Sequence, residues 1–180
     1  HIVIVGAGNI GAYLAKELES ISNVRVRLIE SDANQAELAA EELKRTVILN
    51  GDAMDSDIQE EAGVANSELV ICLTNDDKTN ILCAVLAKKI GAKQTISLIN
   101  EISMRDLQAE LGINMVVDPR ATTISSILRH VRSGKILDVY SLEQGQAEIM
   151  EGEVLETSAL CGKSISDSNL VNGISIGAIV

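Results

Sequence analysis

The chain contains neither phenylalanine nor tryptophan, and Tyr13 and Tyr140 are its only aromatic residues. Its core must therefore be assembled from Ile, Leu, Val and Ala, which the 46% hydrophobic content supplies. The stacking platforms that grip single-stranded nucleic acid are missing. Positive charge is also scarce: 15 Lys and Arg against 26 Asp and Glu leave a formal net charge of −11. That balance argues against DNA or RNA as a partner and against attraction to anionic lipid. The acidic residues are spread along the chain and read as a solvated surface, not a tail. Cys72, Cys83 and Cys161 show no C-x-x-C spacing. Cys72 in an apolar strand and Cys83 on a predicted helix read as buried free thiols, which fits a reducing cytoplasm. No H-x-x-H or Cys/His cluster suggests a metal site. No apolar run reaches the roughly 18 residues of a membrane span, and no signal peptide is recognisable. His1 replaces the usual Met and already lies inside an apolar run, so a piece of a longer polypeptide is expected.

What the chain does have is a strand that runs into Gly6-Ala7-Gly8-Asn9-Ile10-Gly11, followed nineteen residues later by a second strand ending on Glu30. Each part has a separate job in holding an adenine dinucleotide. Gly6 permits the tight turn, Gly8 lets a pyrophosphate approach the backbone, and Gly11 lets the next helix pack close. The unpaired N–H groups and positive dipole end of that helix face the phosphates. Glu30 accepts from ribose hydroxyls and repels a 2′-phosphate, favouring NAD(H) over NADP(H). A lone G-x-G-x-x-G is weak, but here an Ile/Val strand precedes it, and Ile10, Leu14 and Leu18 follow at helical spacing.

Apolar β-rich runs recur at His1–Val5, Val24–Glu30, Thr46–Leu49, Leu69–Leu73, Thr95–Ile99 and Ile113–Val117. Helical periodicity fills the gaps: Asn34–Arg45 behind a candidate Asp32 cap, and Asp76–Ile90 with Ile81, Leu82, Val85 and Leu86 on one face. Strands joined by helical crossovers predict an α/β fold, a Rossmann-like doubly wound parallel sheet of six strands. Pro119, the only proline, opens a helix over Arg120–Arg132 behind Asp118, and Gly134 reads as its stop. A domain boundary is expected near Gly134. It separates a nucleotide-binding domain, 1–134, from the start of a small α+β domain, 135–180, with short strands near Ile136–Leu142 and Ala147–Leu155. The run Ser175–Val180 also reads as strand. Ile124, Ile127, Leu128 and Val131 form one apolar stripe on the helix after Pro119.

Ligands of such a sheet lie outside the carboxyl ends of its strands, which hold Gly6–Gly11, Glu30, Ser31, Gly51, Asp52, Ala53, Thr74, Asn75, Asp76 and Asn100. Asp52 and Ala53 either line the adenine or form a capped turn. Thr74 and Asn75 either contact ribose or nicotinamide or begin a helix whose dipole Asp76 and Asp77 complement. Catalytic equipment is hard to find. Hydride transfer wants a His, Lys or Tyr beside its path, yet His1 lies at the terminus and His130 far along the helix after Pro119. Asp76 and Asp77 face different directions on a helix and form no evident acid–base pair. The stretch after Gly134 is short for a substrate domain. A nucleotide bound but not transformed is the leading expectation, with no catalytic residues; an NAD-dependent oxidoreductase is the alternative, and an assembly domain with a vestigial pocket a third.

These motifs together resemble the regulator-of-potassium-conductance (RCK) family, and within it the TrkA-type peripheral subunits of bacterial Trk potassium-uptake systems. The resemblance is carried by Ile4-Val5-Gly6-Ala7-Gly8-Asn9-Ile10-Gly11, Leu28-Ile29-Glu30, Gly51-Asp52-Ala53, Leu73-Thr74-Asn75-Asp76-Asp77, Asn80-Ile81 with Leu86-Ala87-Lys88, and Ala121-Thr122-Thr123-Ile124-Ser125 through His130-Val131-Arg132. It extends over nearly the whole chain, with 135–180 similar to the start of the family's C-terminal regulatory domain. It implies one of two tandem units, the second, in a cytoplasmic ring attached at the inner face of the membrane to a potassium transporter. The ring senses NAD(H) and, in relatives, ATP or ADP. It also implies that Gly6, Ala7, Gly8, Asn9, Ile10, Gly11, Glu30, Thr74 and Asn75 are cofactor contacts, and that the helix after Pro119 packs on a neighbouring subunit in a homo-oligomer. Two positions depart from the pattern: Ser97-Leu98-Ile99-Asn100 lacks the family's Arg, and Asn9 stands where ATP-preferring relatives carry Arg. Losing both cations disfavours a triphosphate and leaves NAD(H) ahead.

Overall fold

Six short runs rich in Ile, Val and Leu pair as parallel strands in a computed structural model that describes residues 1–105, 108–131, 135–142, 147–168, 170 and 173–179. In chain order they are β1 (Ile2–Val5), β2 (Val26–Glu30), β3 (Val47–Asn50), β4 (Leu69–Cys72), β5 (Gln94–Leu98) and β6 (Met115–Val117). Between them lie α1 (Asn9–Glu19), α2 (Ala33–Glu42), α3 (Ser56–Glu61), a 3-10 turn at Val64–Asn66, α4 (Asp77–Ile90) and α5 (Ile102–Arg105). The sheet order is β3-β2-β1-β4-β5-β6, the doubly wound arrangement expected from the alternation of strand and helix. Val5 of β1 is in register with Ile29 of β2 and with Cys72 of β4. The segments that follow all three strands therefore emerge side by side.

The scarcity of aromatics is visible in how the layers pack. On one face Val3, Val5, Ile29, Val70 and Cys72 meet Cys83, Ala84 and Ala87 of α4, while on the other Ile4, Leu28 and Ile71 meet Ala15 of α1 and Ala39 of α2. The helices present alanine, so they lie close to a sheet that supplies the branched bulk. Each fully buried Val, Leu or Ile contributes roughly 1.5–3 kcal/mol.

Two compact units result, His1–Arg120 and Ala121–Val180. The division falls just inside the start of α6 (Pro119–Val131), earlier than the boundary predicted near Gly134. The sequence signals a helix stop at Gly134, but a boundary follows packing, and α6 keeps Ile124 and Ile127 each 56% exposed. Gly134 and Arg132 lie outside the described residues, as do the side chains of Leu128, His130 and Val131. The second unit contains β7 (Lys135–Leu142) and β8 (Ala147–Glu153), an antiparallel pair with an irregularity between Ile136 and Asp138. A 3-10 turn follows at Ile165–Asp167. Residues 174–179 form no strand, contrary to the reading of Ser175–Val180. An apolar run becomes a strand only where a partner edge takes its hydrogen bonds, and none of the described strands pairs with it.

Candidate functional site

In a doubly wound sheet the crevice opens where the strand order reverses. Here β1 has β2 on one side and β4 on the other, so the reversal falls at the loop Gly6–Gly8. Gly6 has a φ of +100°, which other residues adopt only under strain, and a side chain there would meet the backbone of Leu73 and Thr74 at 3.1 Å. Gly11 serves a closer approach: a Cβ on it would lie 1.9 Å from the carbonyl oxygen of Gly6. The helix thus packs on the loop itself as well as on the sheet, where the side chain of Ile4 lies 3.5 Å from the same point. Gly8 differs from both. Its φ is −64°, and a Cβ added there meets nothing within 4 Å. The space above Gly8 is open, as a cradle for a ligand requires.

Gly8 is also the N-cap of α1, and no side chain caps that helix. The other principal helices of the first unit are closed by their own carboxylates: Asp32 accepts from the N–H of Gln35 at α2, Asp55 from Asp57 at α3, and Asp76 from Thr79 at α4. The first N–H groups of a helix have no intrahelical acceptor, and at α1 Asn9 and Ile10 stand exposed beside them. Both contribute backbone donors there.

The sequence assigns Glu30 to ribose, but the structure shows it holding the loop. Its Oε2 accepts from the N–H of Ala7 at 2.6 Å and its Oε1 from the N–H of Asp32 at 2.9 Å. Gln35 donates through Nε2 to the carbonyl of Ala7 at 2.8 Å, so the buried Ala7 peptide is pinned from both sides. Gln35 has no place in the glycine pattern, and only its position one turn into α2 could have suggested it. A ribose approaching Glu30 must use the lone pairs these bonds leave.

A cavity joins Gly6 and Glu30 to Ser31, Gly51, Asp52, Ala53, Thr74 and Thr79, over a floor of Val5 and Ile29. Its lining brings together the ends of β1, β2, β3 and β4. Asp52 accepts from the N–H of Met54 at 2.8 Å, and the carbonyl of Ala53 accepts from Nε2 of Gln59 at 2.6 Å. The carboxylate of Asp52 thus organises a turn at the cavity's edge. Behind that turn the Cys83 thiol lies 3.6 Å from the sulfur of Met54. Burial, reinforced by the charge of Asp52, pushes it up to about 11, and burial raises Cys72 well above its ordinary value. Neither is a nucleophile near neutral pH.

Thr74 reaches the cavity edge with its polar groups committed. Its N–H and hydroxyl both donate to Oδ1 of Asn80, at 2.8 and 2.7 Å, and its carbonyl accepts from Nδ2 of Asn80 at 2.9 Å. Asn75 is exposed and outside the cavity lining. Asp76 is held below the usual carboxylate range, chiefly by the Thr79 hydroxyl and then by the Thr79 N–H. Asp77 turns inward instead and is buried.

Comparison with known proteins bears on the same segments. The family described as the TrkA-N domain matches residues 2–119, which include the glycine loop, Glu30, the cavity and all six parallel strands. The chain is similar to the Trk system potassium uptake protein TrkA of Azorhizobium caulinodans, at 46% identity over 181 residues, and spans 40% of that relative's length. Among solved structures it resembles the TrkA-N domain of the inner membrane protein ybaL from Escherichia coli. The TM-score is 0.66 at 18% identity, over 73% of this chain and 96% of that one. It also resembles the GsuK channel bound to NAD, with a TM-score of 0.62 at 22% identity, over 79% of this chain and 25% of the other. These structural likenesses bear on the fold. With the sheet order, the loop after β1 and a family match across two thirds of the sequence in agreement, the chain belongs to the TrkA-N domain family.

Proposed function

We propose that this chain is a nucleotide-sensing regulatory module that binds NAD(H) at the mouth of β1 and controls potassium uptake without transforming its ligand. The observation that carries the reading is the start of α1: open space at Gly8, uncapped N–H groups, and Glu30 one strand away. A diphosphate placed there meets oriented donors and a favourable helix dipole. The ribose beside it meets a carboxylate that disfavours a 2′-phosphate, so NADH is preferred to NADPH. Gly6, Ala7, Gly8, Asn9, Ile10 and Gly11 hold the pyrophosphate, while Asp52 and Ala53 flank the adenine side. Thr74, which lines the cavity, and the exposed Asn75 beside it are the contacts from the β4–α4 loop.

The potassium role follows the name of the Azorhizobium relative. The physiological unit is then a cytoplasmic homo-oligomer docked on a Trk-type membrane transporter, and no helix among the described residues is long and apolar enough to cross a membrane. Occupancy acts by stabilising one arrangement of the assembly over another. The cavity is lined by glycine, aliphatic, hydroxyl and carboxylate residues, which supports a sensor over a dehydrogenase. Isothermal titration with NADH, NADPH, ADP and ATP tests the reading. NADH is expected to bind tightest, and NADH incubated with aldehydes and ketones is expected to remain unoxidised. Absence of NADH binding would refute the sensor and leave an assembly domain; turnover would restore the oxidoreductase.

A further inference from the structure

Two side chains at the start of α4 fasten the ends of β4 and β5 together. Asn80, fully buried, holds Thr74 through the three bonds described above and also donates through Nδ2 to the carbonyl of Leu98 at 2.9 Å. Asp77, 8% exposed, reaches the segment just past β5. Its Oδ2 accepts from the N–H groups of Asn100 and Glu101, both at 2.8 Å, and its Oδ1 accepts from Nδ2 of Asn100 at 3.0 Å.

The last bond fixes something that is ordinarily ambiguous. Both carboxylate oxygens of Asp77 act as acceptors in these bonds, so the Asn100 amide has one satisfactory orientation, with Nδ2 toward Asp77 and Oδ1 away from it. Asn100 is half-buried, and its Oδ1 accepts no hydrogen bond among the described residues. The segment just past β5 therefore carries a carbonyl acceptor turned away from Asp77. β5 stands three places from β2 in the sheet, about 14 Å at ordinary strand spacing, with the glycine loop between them. Glu30 and Asn100 consequently flank the loop on opposite sides, as two nucleosides flank a pyrophosphate.

We infer that Asn100 is a specificity-determining residue that accepts a hydrogen bond from the second nucleoside of the ligand, and that Asp77 is the positioning residue that keeps the acceptor outward. The inference rests on the dinucleotide reading given above. It makes the site a reader of both ends of its ligand, and it distinguishes a dinucleotide from a mononucleotide sharing the adenosine and the pyrophosphate.

Calorimetric titration of the full chain with NADH and with ADP tests this. Asn100→Ala leaves both backbone bonds to Asp77 in place, so folding is retained. It is expected to weaken NADH about fivefold to tenfold, the loss of one partly exposed hydrogen bond, while ADP affinity stays within about twofold. Asp77→Asn keeps an acceptor for the two N–H groups but supplies an amide donor, which lets the Asn100 amide turn over. It is expected to shift the NADH-to-ADP ratio in the same direction. A merely structural role would weaken both ligands alike, and that result, or no change in either, overturns the assignment. If the unmodified chain binds neither NADH nor ADP, the dinucleotide reading itself fails, and this inference with it.

Discussion

Gly8 and Gly11 belong to one motif, yet the structure separates what each does, and a pair of substitutions should separate them in solution. A methyl on Gly11 would fall 1.9 Å from the carbonyl oxygen of Gly6, where real Cβ contacts stay beyond 3.0 Å. The obstacle is backbone, so α1 or the loop must shift by about an ångström. Overpacking of this kind costs about 1–3 kcal/mol, partly offset by up to about 1 kcal/mol from the better helix propensity of alanine. A net loss of about 1–2 kcal/mol lowers Tm by roughly 2–8 °C in a chain of this size. Gly8 has an extended backbone, and a methyl placed on it would have nothing within 4 Å. Gly8→Val should therefore fold with a Tm within about 3 °C of the parent, the cost of a weaker N-cap residue. Its branched side chain would fill the space a pyrophosphate needs, and NADH affinity should fall at least about a hundredfold. Thermal melts by circular dichroism and titration calorimetry on the two variants give the comparison. A Gly8→Val protein that unfolds as readily as Gly11→Ala, or that folds and binds NADH like the parent, would refute this division of labour.

Glu30→Ala should narrow the preference for NADH over NADPH and also weaken both, because the carboxylate that repels a 2′-phosphate also holds the N–H of Ala7; equal affinities for the two cofactors in the unmodified chain would remove the role given to Glu30. Ile127→Asp, at a position 56% exposed on α6, should weaken self-association without disturbing the first unit. Light scattering that finds the unmodified chain monomeric at micromolar concentration would count against assembly through this helix. The buried Cys83 thiol, at about 11 against an ordinary 9.0, makes stability independent of its titration below pH 9. Above that value the unfolded chain releases the proton first, so stability should decline by up to about 1.4 kcal/mol per pH unit until about pH 11. Urea unfolding at pH 8.5 and 10.5 should show a smaller decline in Cys83→Ala, and equal declines would place the thiol in water.

The parts of the fold legible in the sequence are those set by local chemistry. Hydrophobic runs mark all six parallel strands, and Asp32, Asp76 and Pro119 mark helix starts, because a capping carboxylate acts within three residues of its own position. The glycine loop is legible as a motif, though not the division of labour inside it. Gly11 answers to a carbonyl five residues back, and that contact exists only once the loop has closed. In the sequence Glu30 shows only its charge toward a ligand, while its bonds to Ala7 and Asp32 depend on β2 ending beside β1. The clamp from Asp77 to Asn100 spans 23 residues and no periodicity announces it. Thr74 reads as a contact because of where its strand ends, and it lines the cavity; the bond that orients its hydroxyl goes to Asn80, a residue the pattern marks only as helical. The early unit boundary escapes for a similar reason, since helix signals report where a helix stops and not what it packs against.

The contrast among helix starts has a use of its own. Asp32, Asp55 and Asp76 sit in extended backbone with φ of −80°, −76° and −112°, and Gly8 has the same kind of conformation at −64°. Gly8→Asp would therefore give α1 a tethered carboxylate of the type its neighbours already carry. A tethered group competes at an effective concentration on the order of millimolar or more, so a diffusing phosphate would find the place taken. The resulting protein would carry the ligand's negative charge at the mouth of β1 without its adenosine or nicotinamide. Placed in the assembled transporter, it would distinguish a gate driven by charge neutralisation at α1 from one driven by the nucleosides that bridge the strands on either side.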